Sequence, residues 1–245
     1  MRLTERLHLV GGAAPGPANS DSLDAQVYAI DTGDGLAVVD SGAGRSIERL
    51  LAEVRSSGLD PSAIRWLLLT HGHGDHAGGA AAWKRAVPRV EVLASADVAS
   101  WLVAGDEEAT SVDRARRAGI YPSDYRLEPC AAVALPGDRL RLGAIDLEIV
   151  PTPGHAAGHL SFGGLIDGAM TVFTGDALLP GGRILLQDTW DCDLHAALRS
   201  VERLAALAPE RMLGGHLAPI VSDARRHVDR ALDRIARLLP PEQLE

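Results

Sequence analysis

Four residues of metal-ligand type, His71, His73, Asp75 and His76, fall within six consecutive positions and are spaced by Gly72 and Gly74. Imidazole nitrogens and carboxylate oxygens are donors that zinc, iron and nickel accept. Such a set cannot pack as an apolar core. The two glycines carry no Cβ, so the backbone between the ligands can bend sharply and aim the imidazoles inward. The competing reading is a solvated His-rich loop. Against it stands the apolar run Ile64–Leu69, expected of a strand buried on both faces, because a surface loop has no need of a buried strand leading into it. Three later stretches repeat the form of a ligand-type residue in a turn just past an apolar strand. They are Thr152-Pro153-Gly154-His155, Thr174-Gly175-Asp176 and Gly214-Gly215-His216. Each alone reads more readily as a cap or turn residue. All three in this order after the first motif are specific for a metal site.

The elements that must position these residues are legible from periodicity. Val27–Ile30 and Leu36–Val39 flank a turn with an Asp-Gly pair, which predicts a hairpin. Ile47, Leu50, Leu51 and Val54 fall at i, i+3, i+4, i+7 and predict a helix that stops at Gly58. The Ala-rich stretch after Gly79 reads as a helix and Val90–Leu93 as a strand. Residues 95–129 are polar and helical in pattern, an excursion from the sheet that could cover the site as a lid. Strands are expected at Leu140–Leu142, Ile145–Val150, Leu160–Phe162, Met170–Phe173 and Arg211–Leu213. Apolar stripes predict two closing helices, one through Leu194, Ala197, Leu198, Val201 and Leu204, the other through Ala224, Val228, Ala231, Leu232, Ile235 and Leu239. The stretch from Ile30 to Gly42 weakly echoes that from Ile166 to Asp176, each reading as strand, turn and strand ending beside Asp and Gly.

At 245 residues the chain can bury a large core and is read as a single domain, 1–245. A 46% hydrophobic and 23% charged composition is ordinary for a globular protein. No apolar run approaches the ~20 residues needed to span a bilayer. The charged N-terminal stretch lacks the apolar core of a signal peptide, so a cytoplasmic location and no membrane association are expected. Cys130 and Cys192 have no metal-knuckle spacing and read as reduced thiols. A net charge of −9 repels a polyphosphate backbone, which argues against a nucleic-acid substrate.

With these residues in place, the sequence resembles the metallo-β-lactamase superfamily over nearly its whole length. The resemblance implies an α/β (α+β in some schemes) four-layer αββα sandwich with the site at one edge of two sheets. It implies that His71, His73 and His155 hold one divalent metal ion, that Asp75, His76 and His216 hold a second, and that Asp176 bridges both. Zinc is the first expectation, with manganese or ferrous iron as alternatives. Two such cations ~3.5–4 Å apart would bridge a water and give hydroxide near neutral pH, for attack on an ester, thioester or lactone carbonyl of a small molecule. Asp75 could also steer that hydroxide.

The resemblance also sorts the branches. Members that are true β-lactamases usually alter one or more of these ligands, for example with a cysteine at the bridging aspartate. Glyoxalase II-like thioesterases and lactonases share the full set, although the short stretch after His216 argues against a glutathione-gripping helical domain. The alternative from another reaction class is a persulfide dioxygenase-like oxidoreductase with a single iron. A further alternative is a binding protein that keeps the fold without chemistry. His159 is expected to support the site rather than ligate, and Asp40 reads either as a brace for the metal loop or as a turn residue. Arg183 and Trp190 are candidate substrate contacts, with a surface ion pair and core packing as the competing readings. His8, His195 and His227 read as surface or capping histidines. A homodimer is common among relatives of this kind, and nothing here specifies an interface.

Overall fold

A computed structural model describes residues 1–13 and 20–244. The chain divides into two compact units, Met1–Leu135 and Pro136–Glu245.

The first unit is built on a six-stranded sheet: β1 (Leu7–Gly11), β2 (Val27–Asp31), β3 (Leu36–Val39), β4 (Ile64–Leu68), β5 (Glu91–Ala94) and β6 (Val133–Ala134), in that spatial order. β1, β2 and β3 pair antiparallel, and β3 through β6 pair parallel. The β2–β3 hairpin closes where the Asp31 carboxylate accepts from the Gly33 N–H at 2.8 Å and the Thr32 N–H donates to the Gly35 carbonyl at 3.0 Å. Parallel pairing requires crossovers, supplied by α1 (Ile47–Ser56) between β3 and β4 and by α2 (Gly74–Ala77) and α3 (Ala80–Ala86) between β4 and β5. α1 buries Leu50 and Val54, each contributing about 1.5–3 kcal/mol of apolar transfer. The excursion 95–129 contains α4 (Ala96–Ala104) and α5 (Val112–Arg117). Its Leu102, Val112, Tyr121, Tyr125 and Leu127 join the core of this unit.

The second unit has a five-stranded sheet in the order β11-β10-β9-β8-β7, with β7 (Arg139–Leu142), β8 (Ile145–Pro151), β9 (Leu160–Ile166), β10 (Ala169–Gly175) and β11 (Arg211–Gly214). β7 to β10 are antiparallel, and β10 pairs parallel with β11 after the crossover helix α6 (Leu194–Ala206). Val201 and Leu204 of α6 and Val228 and Ala231 of α7 (Arg225–Ala236) pack in one core with Val172 and Met212.

The weak internal echo has a structural counterpart. β2–β3 and β9–β10 are both antiparallel hairpins, and in both the second strand next pairs parallel, with β4 and with β11. The strands end beside Asp40 and Asp176.

Four details differ from the sequence reading. β1 and β6 were not anticipated. β1 is buried at every position, so it shows no alternation, and β6 is only two residues long. His8 therefore lies inside the sheet, 3% exposed, rather than at the surface. β4 is not buried on both faces along its length, since Arg65 is exposed and lies 4.5 Å over the Trp66 ring. α7 stops at Ala236, leaving Leu239 beyond its end and exposed. Among the described residues no helix is long and apolar enough to cross a membrane.

Candidate functional site

In a parallel pair the C-terminal strand ends share one sheet edge, which is where open α/β sheets carry their sites. β3 and β4 obey this. β3 delivers Asp40, and β4 delivers Thr70, His71 and the turn to His73, Asp75 and His76. His71 and His76 are fully buried and His73 is 7% exposed. The His71 and His76 rings lie 4.1 Å apart between centroids, and those of His71 and His73 4.7 Å. This packs the imidazoles of the motif into one cluster.

Asp40 organises the cluster. Its backbone is left-handed at φ 61°, an uncommon conformation for a residue with a Cβ and one that persists where surrounding bonds fix it. One carboxylate oxygen accepts from the Thr70 N–H at 2.8 Å, and the other accepts from His76 Nδ1 at 2.8 Å. The Thr70 hydroxyl lies 3.0 and 2.9 Å from the two oxygens and 3.0 Å from His71 Nδ1. A hydroxyl that donates to the carboxylate must accept from the ring, so Nδ1 carries the proton in both imidazoles. Nε2 of each is thereby the ligand-competent nitrogen, the tautomer that metal-binding histidines adopt when Nδ1–H has an acceptor. Asp40 is thus bonded to both ends of the loop from Thr70 to His76. Ser41 secures the following turn: its N–H and hydroxyl both donate to the His76 carbonyl at 2.7 Å, and its own carbonyl accepts from Trp83 Nε1 at 3.1 Å.

Asp75 sits in the first turn of α2. Its N–H donates to the Tyr121 hydroxyl at 3.0 Å, and that hydroxyl donates back to Asp75 Oδ1 at 3.1 Å. Burial and the neighbouring Asp75 charge hold the Tyr121 phenol well above its ordinary range, so it stays a donor. The Tyr125 hydroxyl lies 3.0 Å from the Ala43 carbonyl and 3.1 Å from that of Gly74. Gly78 makes room for it, since a Cβ there would stand 2.1 Å from the Tyr125 oxygen.

In the second unit the ligand types again gather at strand ends. Asp176 and His216 follow the parallel neighbours β10 and β11, whose turns are joined by the Gly215 N–H on the Gly175 carbonyl at 2.8 Å. His155 follows β8. Gly154, at φ 131°, lets this turn pack on the start of α6, where a Cβ would lie 2.2 Å from the Ala197 nitrogen. His155 Nδ1 donates to the Leu185 carbonyl at 2.7 Å, again presenting Nε2. That Nε2 is 3.4 Å from Asp176 Oδ2, and His216 Nε2 is 3.2 Å from the same oxygen. His159 is buried with both ring nitrogens engaged. Nε2 accepts from the Asp176 N–H at 3.2 Å, and Nδ1 lies 2.9 Å from the Thr152 hydroxyl. It thereby ties the Asp176 backbone to the turn that carries His155.

The donor set fits divalent metal. A tetrahedral zinc with bonds of ~2.0–2.1 Å keeps its donors about 3.3 Å apart. The separations His155 Nε2–Asp176 Oδ2 (3.4 Å), His216 Nε2–Asp176 Oδ2 (3.2 Å) and His76 Nε2–Asp75 Oδ2 (3.6 Å) bracket that value. With its proton on Nδ1, His155 turns the Nε2 lone pair toward Asp176 Oδ2, an arrangement that could hold a divalent cation.

The two substrate candidates fall differently. Arg183 forms a β-bridge with Leu179 and lines a cleft of about 540 Å³ with Arg234 and the segment 240–244. Trp190 is 62% exposed on the loop that follows Leu185. That loop also braces His155, because the Asp191 carboxylate accepts from the Ala157 N–H at 2.7 Å. Sequence reasoning missed Thr70, Ser41 and Asp191 as supports. Tyr121 lies in the segment 95–129, which the sequence reading treated only as a lid.

Comparison with known proteins adds three findings. A profile of the family described as Metallo-beta-lactamase superfamily matches residues 22–216. Among curated proteins, a hydroxyacylglutathione hydrolase of Xanthomonas euvesicatoria is 30% identical over 211 residues, covering 84% of this chain and 66% of the relative. A protein of the same name from Cereibacter sphaeroides is 31% identical over 151 residues, covering 61% and 47%. The chain thus spans between about half and two thirds of the length of these relatives. Among solved structures, a metallo-β-lactamase family protein of Thermus thermophilus aligns with TM-score 0.71 at 23% identity over 97% of this chain and 82% of the other. A subclass B3 metallo-β-lactamase of Bradyrhizobium japonicum aligns with TM-score 0.69 at 20% identity over 97% and 92%. At these identities the likeness speaks for the fold alone.

Proposed function

Because the chain belongs to the metallo-β-lactamase superfamily, we propose that it is a metal-dependent hydrolase whose two ligand clusters serve one centre of two divalent ions. His71, His73 and His155 hold one ion, Asp75, His76 and His216 the other, and Asp176 bridges them. In this reading the two compact units are halves of a single domain.

The observation that carries the proposal is the placement of Asp176 Oδ2 against two imidazoles, at 3.4 Å from His155 and 3.2 Å from His216. One oxygen set between two imidazoles supports the reading of Asp176 as a bridging carboxylate. When bound, the ions supply Lewis acidity, lowering the pKa of a shared water toward neutrality and polarising a carbonyl oxygen. The chain's own residues prepare that chemistry. Asp40 and Thr70 keep His71 and His76 in the Nδ1–H form, the Leu185 carbonyl does the same for His155, and His159 holds the Asp176 backbone. Asp75 would in addition accept a hydrogen bond from the attacking water and so orient it. The all-imidazole and carboxylate donor set suits zinc, with manganese or ferrous iron next.

The substrate class is a small-molecule ester, thioester or lactone. Thioesters come first, because the curated relatives are named hydroxyacylglutathione hydrolase. Glutathione itself is not carried over, since the match leaves a third to a half of those relatives uncovered. Trp190, exposed on the loop that braces His155, is the candidate substrate contact that the geometry supports. Arg183 belongs with the cleft beside segment 240–244. The two free cysteines, Cys130 and Cys192, are compatible with a reducing, cytoplasmic setting.

A panel of chromogenic esters, thioesters and lactones tests this reading. Activity on at least one class should vanish on chelation, return with zinc, and fall by roughly 10²-fold or more in Asp75→Ala. Hydrolysis indifferent to chelator would defeat it.

A further inference from the structure

The segment 95–129 contributes more than a cover. Two of its tyrosines are buried within the first unit, with ring centroids 4.7 Å apart, and both reach the one-turn helix α2. They do different work. The Tyr125 hydroxyl meets main-chain carbonyls among the described residues, those of Ala43 and Gly74. Tyr121 meets Asp75 twice, accepting from its N–H and donating to Oδ1.

A carboxylate on a single Cβ can rotate about χ1 and χ2, and a bond to one oxygen removes much of that freedom. With Oδ1 held by the phenol, the other oxygen, Oδ2, is the one turned toward His76 Nε2, at 3.6 Å. The same hydroxyl anchors the Asp75 backbone, so both ends of the side chain's lever are fixed by one group. The ring packs closely on the loop in turn: a Cβ at Gly74 would lie 3.0 Å from it, tighter than side chains ordinarily pack. Its neighbour Tyr125 packs against it, with ring centroids 4.7 Å apart.

We propose that Tyr121 is a positioning residue that presents Asp75 Oδ2 to the metal ion held with His76 and His216, and so sets the affinity of that second ion without affecting the first. This rests on the two-metal reading. Outer partners of metal ligands change metal affinity by roughly 10–100-fold when removed, and Tyr121 stands in that relation to Asp75. Its hydroxyl touches no residue assigned to the first ion among the hydrogen bonds described above.

The test compares wild type, Tyr121→Phe and Tyr125→Phe as full chains. Zinc is titrated against a chromophoric chelator, and the metal-free proteins are melted in parallel. The expected result for Tyr121→Phe is an unchanged first zinc affinity and a second weakened roughly 10–100-fold. Tyr125→Phe is expected to lower the melting temperature and to leave both affinities within about twofold. Equal weakening of both ions in Tyr121→Phe, or the same weakening of the second ion in Tyr125→Phe, would assign the effect to loosened packing and overturn the proposal. So would an unchanged second affinity in Tyr121→Phe while wild type binds two ions. A wild type that binds fewer than two ions would instead overturn the two-metal reading, and this inference with it.

Discussion

Asp40 sets two imidazoles with one carboxylate, directly at His76 and through the Thr70 hydroxyl at His71. Removing it strands buried donors, the Thr70 N–H, the Thr70 hydroxyl and the His76 Nδ1–H. Asp40→Ala is expected to cost the metal-free protein about 1–3 kcal/mol in urea unfolding and to weaken zinc roughly 10–100-fold in chelator competition. Unchanged zinc affinity would mean that the rings are oriented by packing alone. The ligand types themselves were legible, because glycines and ligand-type side chains directly after an apolar run are a rare combination. Their supports were not. Thr70, Ser41 and Tyr121 are common residues at strand ends and in helical segments. Their roles come from partners brought close by tertiary folding, 30 positions away for Thr70 and Asp40, 46 for Tyr121 and Asp75. Nothing local in a sequence encodes such an approach.

At the scale of elements, periodicity reads what is amphipathic and overlooks what is not. α1, α6 and α7 carry one buried stripe each and were found from it, whereas β1 is buried throughout and offered no alternation. The hairpin β9–β10 and the crossover to β11 followed from short apolar runs, and they bring Asp176 and His216 to one edge. α7 also ties down a turn that the sequence left unassigned. His227 Nδ1 accepts from the Gly181 N–H at 2.8 Å, and a Cβ at Gly182 would stand 2.4 Å from the His227 carbonyl. Accepting requires a neutral ring, and burial, followed by Arg226, lowers the His227 pKa below its ordinary value. A histidine with a lowered folded pKa binds fewer protons folded than unfolded as pH falls. Its stabilising contribution is therefore full above the ordinary imidazole value of ~6.5 and is lost as pH falls through the lowered folded value. The stability difference between wild type and His227→Asn, measured by urea unfolding, should be larger at about pH 8 than at about pH 5. Equal differences at both would show that Gly181 does not depend on the neutral ring.

At the scale of the whole molecule, the fold is that of the metallo-β-lactamase superfamily, and the sequence resemblance pointed there before any coordinates did. The reason is physical. The candidate ligands of this chain sit at strand ends in glycine-rich turns, so the same stretches mark both the proposed chemistry and the architecture. Substrate choice lacks that coupling. The proposed substrate contact Trp190 is exposed on the loop after Leu185, and loops vary where sheet edges do not. The central claim is that seven residues drawn from both units serve a single pair of ions. It is tested most directly by the metal content of the purified chain, measured by elemental mass spectrometry. The account predicts about two zinc or manganese ions per chain, falling to one or fewer in Asp176→Ala. Close to one iron per chain in wild type would contradict it, pointing to a single-metal centre in which His71, Asp75 and His216 have other roles.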